Sequence, residues 1–188
     1  MGQGLSYSSS SSSPSGRSAG LHAEAGAAWP LQEKRDCVTD AAFKSLPHCL
    51  GSYRTASCGS LVGKGYKPDL TVCNSDNQLM FIFECEQTTN RKAFLGDLVK
   101  AEKHAEDCGA HPVLIIVMQE SDNTTVQQIA GNLTPYAVWL NRLKGGKLNL
   151  ADILLISDQE YQRSVEANEL LGSQGFLLRT ISVKGNSN

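Results

Sequence analysis

The sequence has no apolar run approaching the roughly 18–20 residues that a membrane helix needs, so no membrane span is expected. No continuous apolar stretch opens the chain either, and the expectation is a protein made without a secretory leader. Six cysteines are present, yet none form a CxxC pair. That pattern points to reduced thiols and a cytoplasmic location, and makes the sequons at Asn123 and Asn132 chance matches. Strong net charge is missing too: the formal charge is -2 and the pI about 6.1. A nucleic-acid partner would therefore have to be met by a local positive face.

What remains is enough for one ordinary folded domain. Residues 1–29 hold a serine run from Ser8 to Ser13 and read as a disordered tail. The folded part begins near Trp29 and Pro30. Leu31, Val38, Ala42 and Leu46 recur at helical spacing until Pro47 stops the pattern. A Gly/Ser-rich stretch from Gly51 to Gly65 holds short extended segments. Asp69 to Cys73 and Leu79 to Glu86 then read as two strands joined by the turn cluster Asn74-Ser75-Asp76-Asn77.

Asn90 to Cys108 has the spacing of a helix, with Leu95, Leu98, Val99 and Ala105 on its apolar face and Gly109 placed to end it. Pro112 to Met118 is almost wholly apolar, which suits a strand covered on both faces. A helix over about Thr124 to Leu143 and a strand over Ala151 to Ile156 follow. Asp158 is placed to cap a helix running to Leu171, and Phe176 to Val183 suits a last edge strand. The order predicts an α/β sandwich, a central mixed sheet flanked by helices.

The chemistry is expected in the strand pair. Strand side chains alternate, so Glu84 and Glu86 share a face and Cys85 takes the other. Two carboxylates ending an apolar strand repel each other, and burying them without a counter-charge is costly. A divalent cation resolves the conflict, and Mg²⁺ prefers oxygen ligands. Across the short hairpin Asp69 falls beside Glu84, and the Cys85 carbonyl offers a further oxygen. The same tripeptide at a strand end is often no more than a solvated rim.

Lys67-Pro68-Asp69, a hairpin, then Phe83-Glu84-Cys85-Glu86 and a helix resembles the PD-(D/E)xK nuclease superfamily, over roughly residues 31–120. The resemblance implies a restriction-endonuclease-like three-layer sandwich over residues 30–188. It implies Mg (or Mn) held by Asp69 and Glu84, and hydrolysis of phosphodiester bonds in DNA. Glu86 stands where the superfamily usually has lysine, so it is expected as a second metal ligand or as the base. Lys92 or Lys100 would then supply the ammonium, and Glu33 the acid of the first helix, with Asp36 and Asp40 as rivals.

Arg54, Lys64, Lys67, Gln87, Arg91, Lys92 and Lys100 are the candidate phosphate contacts, although each taken singly is an ordinary surface residue. A homodimer would suit an enzyme that cuts both strands, with Tyr136, Trp139 and Leu140 as its face or as core. The alternative reading is a non-catalytic nucleic-acid-binding or scaffold domain on the same fold. Gly59 to Gly65 is not a phosphate loop, having one residue too few between its glycines. His104, Cys108 and His111 lack an evident fourth zinc ligand, and His48 beside Cys49 is not triad geometry.

Overall fold

The computed structural model describes residues 40–63 and 65–183. The Ser-rich segment, Glu33, Asp36 and Lys64 lie outside them, and so does most of the first predicted helix.

Among the described residues six strands form one sheet in chain order: β1 (Arg54–Cys58), β2 (Leu70–Cys73), β3 (Leu79–Glu86), β4 (Val113–Met118), β5 (Asp152–Ser157) and β6 (Ile181–Ser182). The pairs β1–β2, β2–β3 and β5–β6 are antiparallel, while β3–β4 and β4–β5 are parallel. The sheet is therefore mixed. Its central strand β4 is buried from Leu114 to Met118, as a strand covered on both faces must be.

Side-chain alternation sorts the core into two layers. Ile82, Leu114, Ile116, Met118, Ile153 and Leu155 face α2 (Arg91–Cys108) and α3 (Val126–Leu143). Phe83, Ile115, Val117, Leu154 and Ile156 face the other way. There they meet Phe43 of α1 (Asp40–Ser45), Tyr161 of α4 (Asp158–Glu166) and Phe176 of α5 (Gln174–Leu178). In this second layer His48 meets the Tyr161 hydroxyl at 2.7 Å through Nδ1. Burial lowers its pKa to about 4, which keeps the ring neutral. Cys49 instead donates to the Val165 carbonyl, so His48 and Cys49 form no catalytic pair.

Helix α2 packs on β3 and has well-defined ends. The Asn90 side chain accepts from the Lys92 amide at the start, and Gly109 closes the end at φ 61°. Its buried stripe is Phe94, Asp97, Leu98, Ala101, Glu102 and Ala105. The predicted face was shifted: Val99 is exposed and Leu95 half-buried. Two acids occupy the inward positions instead. A side chain at Gly109 would be forced into the left-handed region, so Gly109→Ala is expected to cost about 1 kcal/mol. Denaturant unfolding of the two proteins would show it as a lowered midpoint at unchanged slope.

Three boundaries differ from the sequence expectation. Ser157, not Asp158, caps α4 by accepting from the Glu160 amide, and the helix stops at Glu166. The predicted edge strand over Phe176 to Val183 begins as helix through Leu178, and only Ile181 and Ser182 are strand. Ser173 caps α5, and Arg179 forks onto Glu169 at 2.7 and 2.9 Å and reaches Glu160 at 2.7 Å. These bonds turn the segment back on itself and leave only two residues for β6. Trp139 and Tyr136 are exposed on α3, which rules out a core role for them, while Leu140 packs partly buried. Among the described residues no helix is long and apolar enough to cross a membrane.

Candidate carboxylate centre

The β2–β3 register pairs Leu70 with Phe83, so one step further places Asp69 beside Glu84. The Asp69 amide donates to the Phe83 carbonyl at 3.1 Å. Its own Oδ2 accepts from the Cys85 amide at 2.7 Å. The aspartate side chain thus continues the ladder where the backbone leaves off. A residue's N–H and C=O leave a strand on the same edge, so the Cys85 carbonyl also lies on the Asp69 side. Oδ1 of Asp69 meets Lys44 Nζ of α1 at 3.1 Å. The lysine passes over Gly59, where a Cβ would come within 2.9 Å of Nζ. A Cβ there would displace the flexible end of the lysine, and the backbone φ of 61° favours glycine independently.

Glu84 and Glu86 project from the α2 side of β3, in line with Ile82. Glu84 is buried and Glu86 half-buried. Burial is the main influence on Glu84 and raises its pKa to about 7. The Tyr66 hydroxyl lowers it, the charges of Asp69 and Glu86 raise it, and Lys100 lowers it again.

Asp97 descends from α2 onto the same spot. Burial again dominates and lifts its pKa to about 8, with a carboxyl–carboxyl contact to Glu86 and the charge of Glu84 adding to the rise. Such a contact bonds only when one partner holds a proton. Asp97 Oδ2 has no hydrogen-bond donor, and the buried Tyr66 hydroxyl has no regular partner either. Tyr66 arrives from the Gly-rich loop, which the Val62–Tyr66 bridge pins, with Val62 N to Tyr66 O at 2.7 Å.

The contrast along α2 is informative. Glu102 is equally buried, yet it accepts from Lys144 Nζ at 2.7 Å, from the Asn149 amide and side chain at 3.0 and 2.9 Å, and from the Leu150 amide at 2.9 Å. These bonds outweigh its burial and hold its pKa below the usual range. The fold can satisfy a buried acid, and at Asp97 it has not.

The expected basic residues divide. Lys100 is the lysine whose charge lowers the pKa of both Glu84 and Asp97. Arg91 and Lys92 line a cavity of about 380 Å³ between α2 and α3, with Phe94, Leu95, Ile129 and Tyr136. Lys67 and Gln87 are exposed at the ends of the segments that carry Asp69 and Glu86. Arg54 is not brought to the site. It pairs with Cys73, at the end of β2 away from Asp69.

The donors Asp69, Glu84, Glu86 and Asp97 are all oxygen, the set a hard divalent cation prefers. The unsatisfied Asp97 oxygen fits the same need. As the side chains stand, no three acidic, histidine or cysteine groups among the described residues are gathered tightly enough to cage an ion. His104 contacts Cys108 at 3.7 Å, and His111 bonds instead to the Asn149 carbonyl at 3.1 Å.

Sequence reasoning missed Tyr66, Lys44 and Asp97. Tyr66 sits among glycines, Lys44 on a short helix, and Asp97 on a helix rich in charge. The spacing Phe94, Leu98, Ala101, Ala105 was the available signal, since it puts Asp97 on the inward stripe. Comparison with protein-family models, curated proteins and solved structures found no match.

Proposed function

We propose that this α/β domain is a divalent-metal-dependent nuclease built on a restriction-endonuclease-like core, hydrolysing phosphodiester bonds in DNA. The observation that carries the reading is the register that sets Asp69 beside Glu84, with Glu86 two residues on along the same face at the sheet end and a buried carboxyl without a donor close by. Burying such acids without a counter-charge is costly, and a cation held by Asp69 and Glu84 relieves it. When bound, Mg²⁺ or Mn²⁺ supplies Lewis acidity toward a phosphoryl oxygen and a water of lowered pKa.

The chain's own groups do the rest. Glu86 is less buried than Glu84 and is placed to accept the proton of an incoming water at a carboxylate oxygen, or to serve as a second ligand. Lys100 offsets negative charge at the centre, and Lys67 and Gln87 reach outward for the DNA backbone. Arg91 and Lys92 extend that polar edge along α2. Cys85 contributes its backbone.

Plasmid and single-strand cleavage with Mg²⁺ or Mn²⁺ in excess over the protein tests the reading. The wild type is expected to cut, and Glu84→Ala to lose at least a hundredfold in rate. A wild type that does not cut, or an unaffected variant, overturns it.

One observation favours a second reading. Lys44 pairs with Asp69 at the position a cation would take, as it would in a nucleic-acid-binding domain that has lost turnover. Metal-independent DNA binding without cleavage would establish that reading instead.

A further inference from the structure

Asp97 has no role in the resemblance that suggested the site, and its environment asks for one. It is 5% exposed, and its Oδ2 meets no donor. A buried acceptor left unmatched keeps the full cost of its lost hydration. The helix had other choices, because five residues later Glu102 is matched by four bonds. Asp97 also does not point at random: it contacts Glu86 and lies within the field of Glu84 and Lys100. The Tyr66 hydroxyl, on a side chain 7% exposed, borders the same space from the opposite loop and faces Glu84 without a hydrogen bond of regular geometry. An unmatched buried carboxyl oxygen, a buried hydroxyl facing Glu84 and two strand carboxylates border one space, and a ligand of positive charge would complete it by drawing the acids closer than they stand without one.

We infer that Asp97 is a direct ligand of a hard divalent cation shared with Glu84 and Glu86, with the Tyr66 hydroxyl hydrogen-bonded to a water on that ion. The ligand set is thus drawn from a strand pair and the helix that follows, and binding ties α2 to the end of β3. The inference rests on the metal-centre reading above, and adds the residue that closes the centre from the helix side.

Mn²⁺ serves as the probe, titrated into the full chain after chelator treatment and followed by calorimetry and by thermal unfolding. Wild type, Asp97→Asn and Glu84→Gln are compared. Asp97→Asn keeps the shape and removes the charge, so it is expected to fold and to melt higher than wild type without metal. Its Mn²⁺ affinity is expected to fall at least tenfold, and most of the Mn²⁺-induced rise in melting temperature to vanish. An Asp97→Asn protein that binds Mn²⁺ within twofold of wild type overturns the inference. If it does so while Glu84→Gln loses binding, the metal-centre reading survives alone. Loss of Mn²⁺ binding in both variants together with absent DNA cleavage leaves the ligand assignment standing and removes the nuclease. A wild type that does not bind Mn²⁺ removes both. Should Asp97→Asn fail to fold, Asp97→Ser read by Mn²⁺ electron paramagnetic resonance gives the same decision, bound signal retained or lost.

Discussion

In chelator, the melting temperature is expected to fall as pH rises from about 5 to about 8.5. Glu84 and Asp97 both have folded pKa values raised above the ordinary carboxyl range, to about 7 and about 8. A raised acid pKa means the folded state binds the proton more tightly than the unfolded chain. Stability is then greatest below the unfolded pKa near 4, and is lost as pH climbs through the folded value. For Glu84 alone the loss is about 3 kcal/mol, or roughly 6–12 °C for a chain of this size. Glu84→Gln should flatten the profile and melt higher than wild type at pH 8.5. A wild type with constant or rising stability over that range would show that these acids are not held protonated. The direction is unusual, because acids in ion pairs stabilise a fold as pH rises.

The second large effect is opposite in sign and lies one and a half turns along the same helix. Glu102→Ala is expected to destabilise the protein by about 3–5 kcal/mol, against the gain expected for Asp97→Asn. Removing Glu102 takes away the acceptor shared by the Asn149 and Leu150 amides and shifts Lys144 onto Glu106, its other partner at 3.1 Å. Denaturant unfolding of both variants at pH 8 without metal measures the pair. Equal signs would remove the distinction drawn between a satisfied and an unsatisfied buried acid.

The frame of the fold was legible because period-two and continuous apolar patterns survive in any context. Leu79 to Glu86 and Pro112 to Met118 read as strands, and they are β3 and β4. Glu84 and Glu86 could be placed on one face from alternation alone. Asp97 and Glu102 were hidden because a helical acid is normally solvated, so charge outvoted position in choosing the buried face. Phe176, Leu177 and Leu178 resemble a strand locally. Only the long-range bonds of Arg179 to Glu160 and Glu169 and the cap at Ser173 decide for a helix. Lys44 reaches Asp69 across 25 residues of chain, and no local pattern announces such a pair.

The bonds at Glu102 have a geometric consequence for the centre. A helix pressed on a sheet by small apolar side chains can turn about its axis with little change in contact. Glu102 is gripped by the segment that leads from α3 into β5, so α2 has a fixed azimuth. One residue of rotation would swing Asp97 through about 100° and carry it off the sheet. The angle at which the centre receives its helix carboxylate is therefore set five residues away, by backbone amides that never touch it.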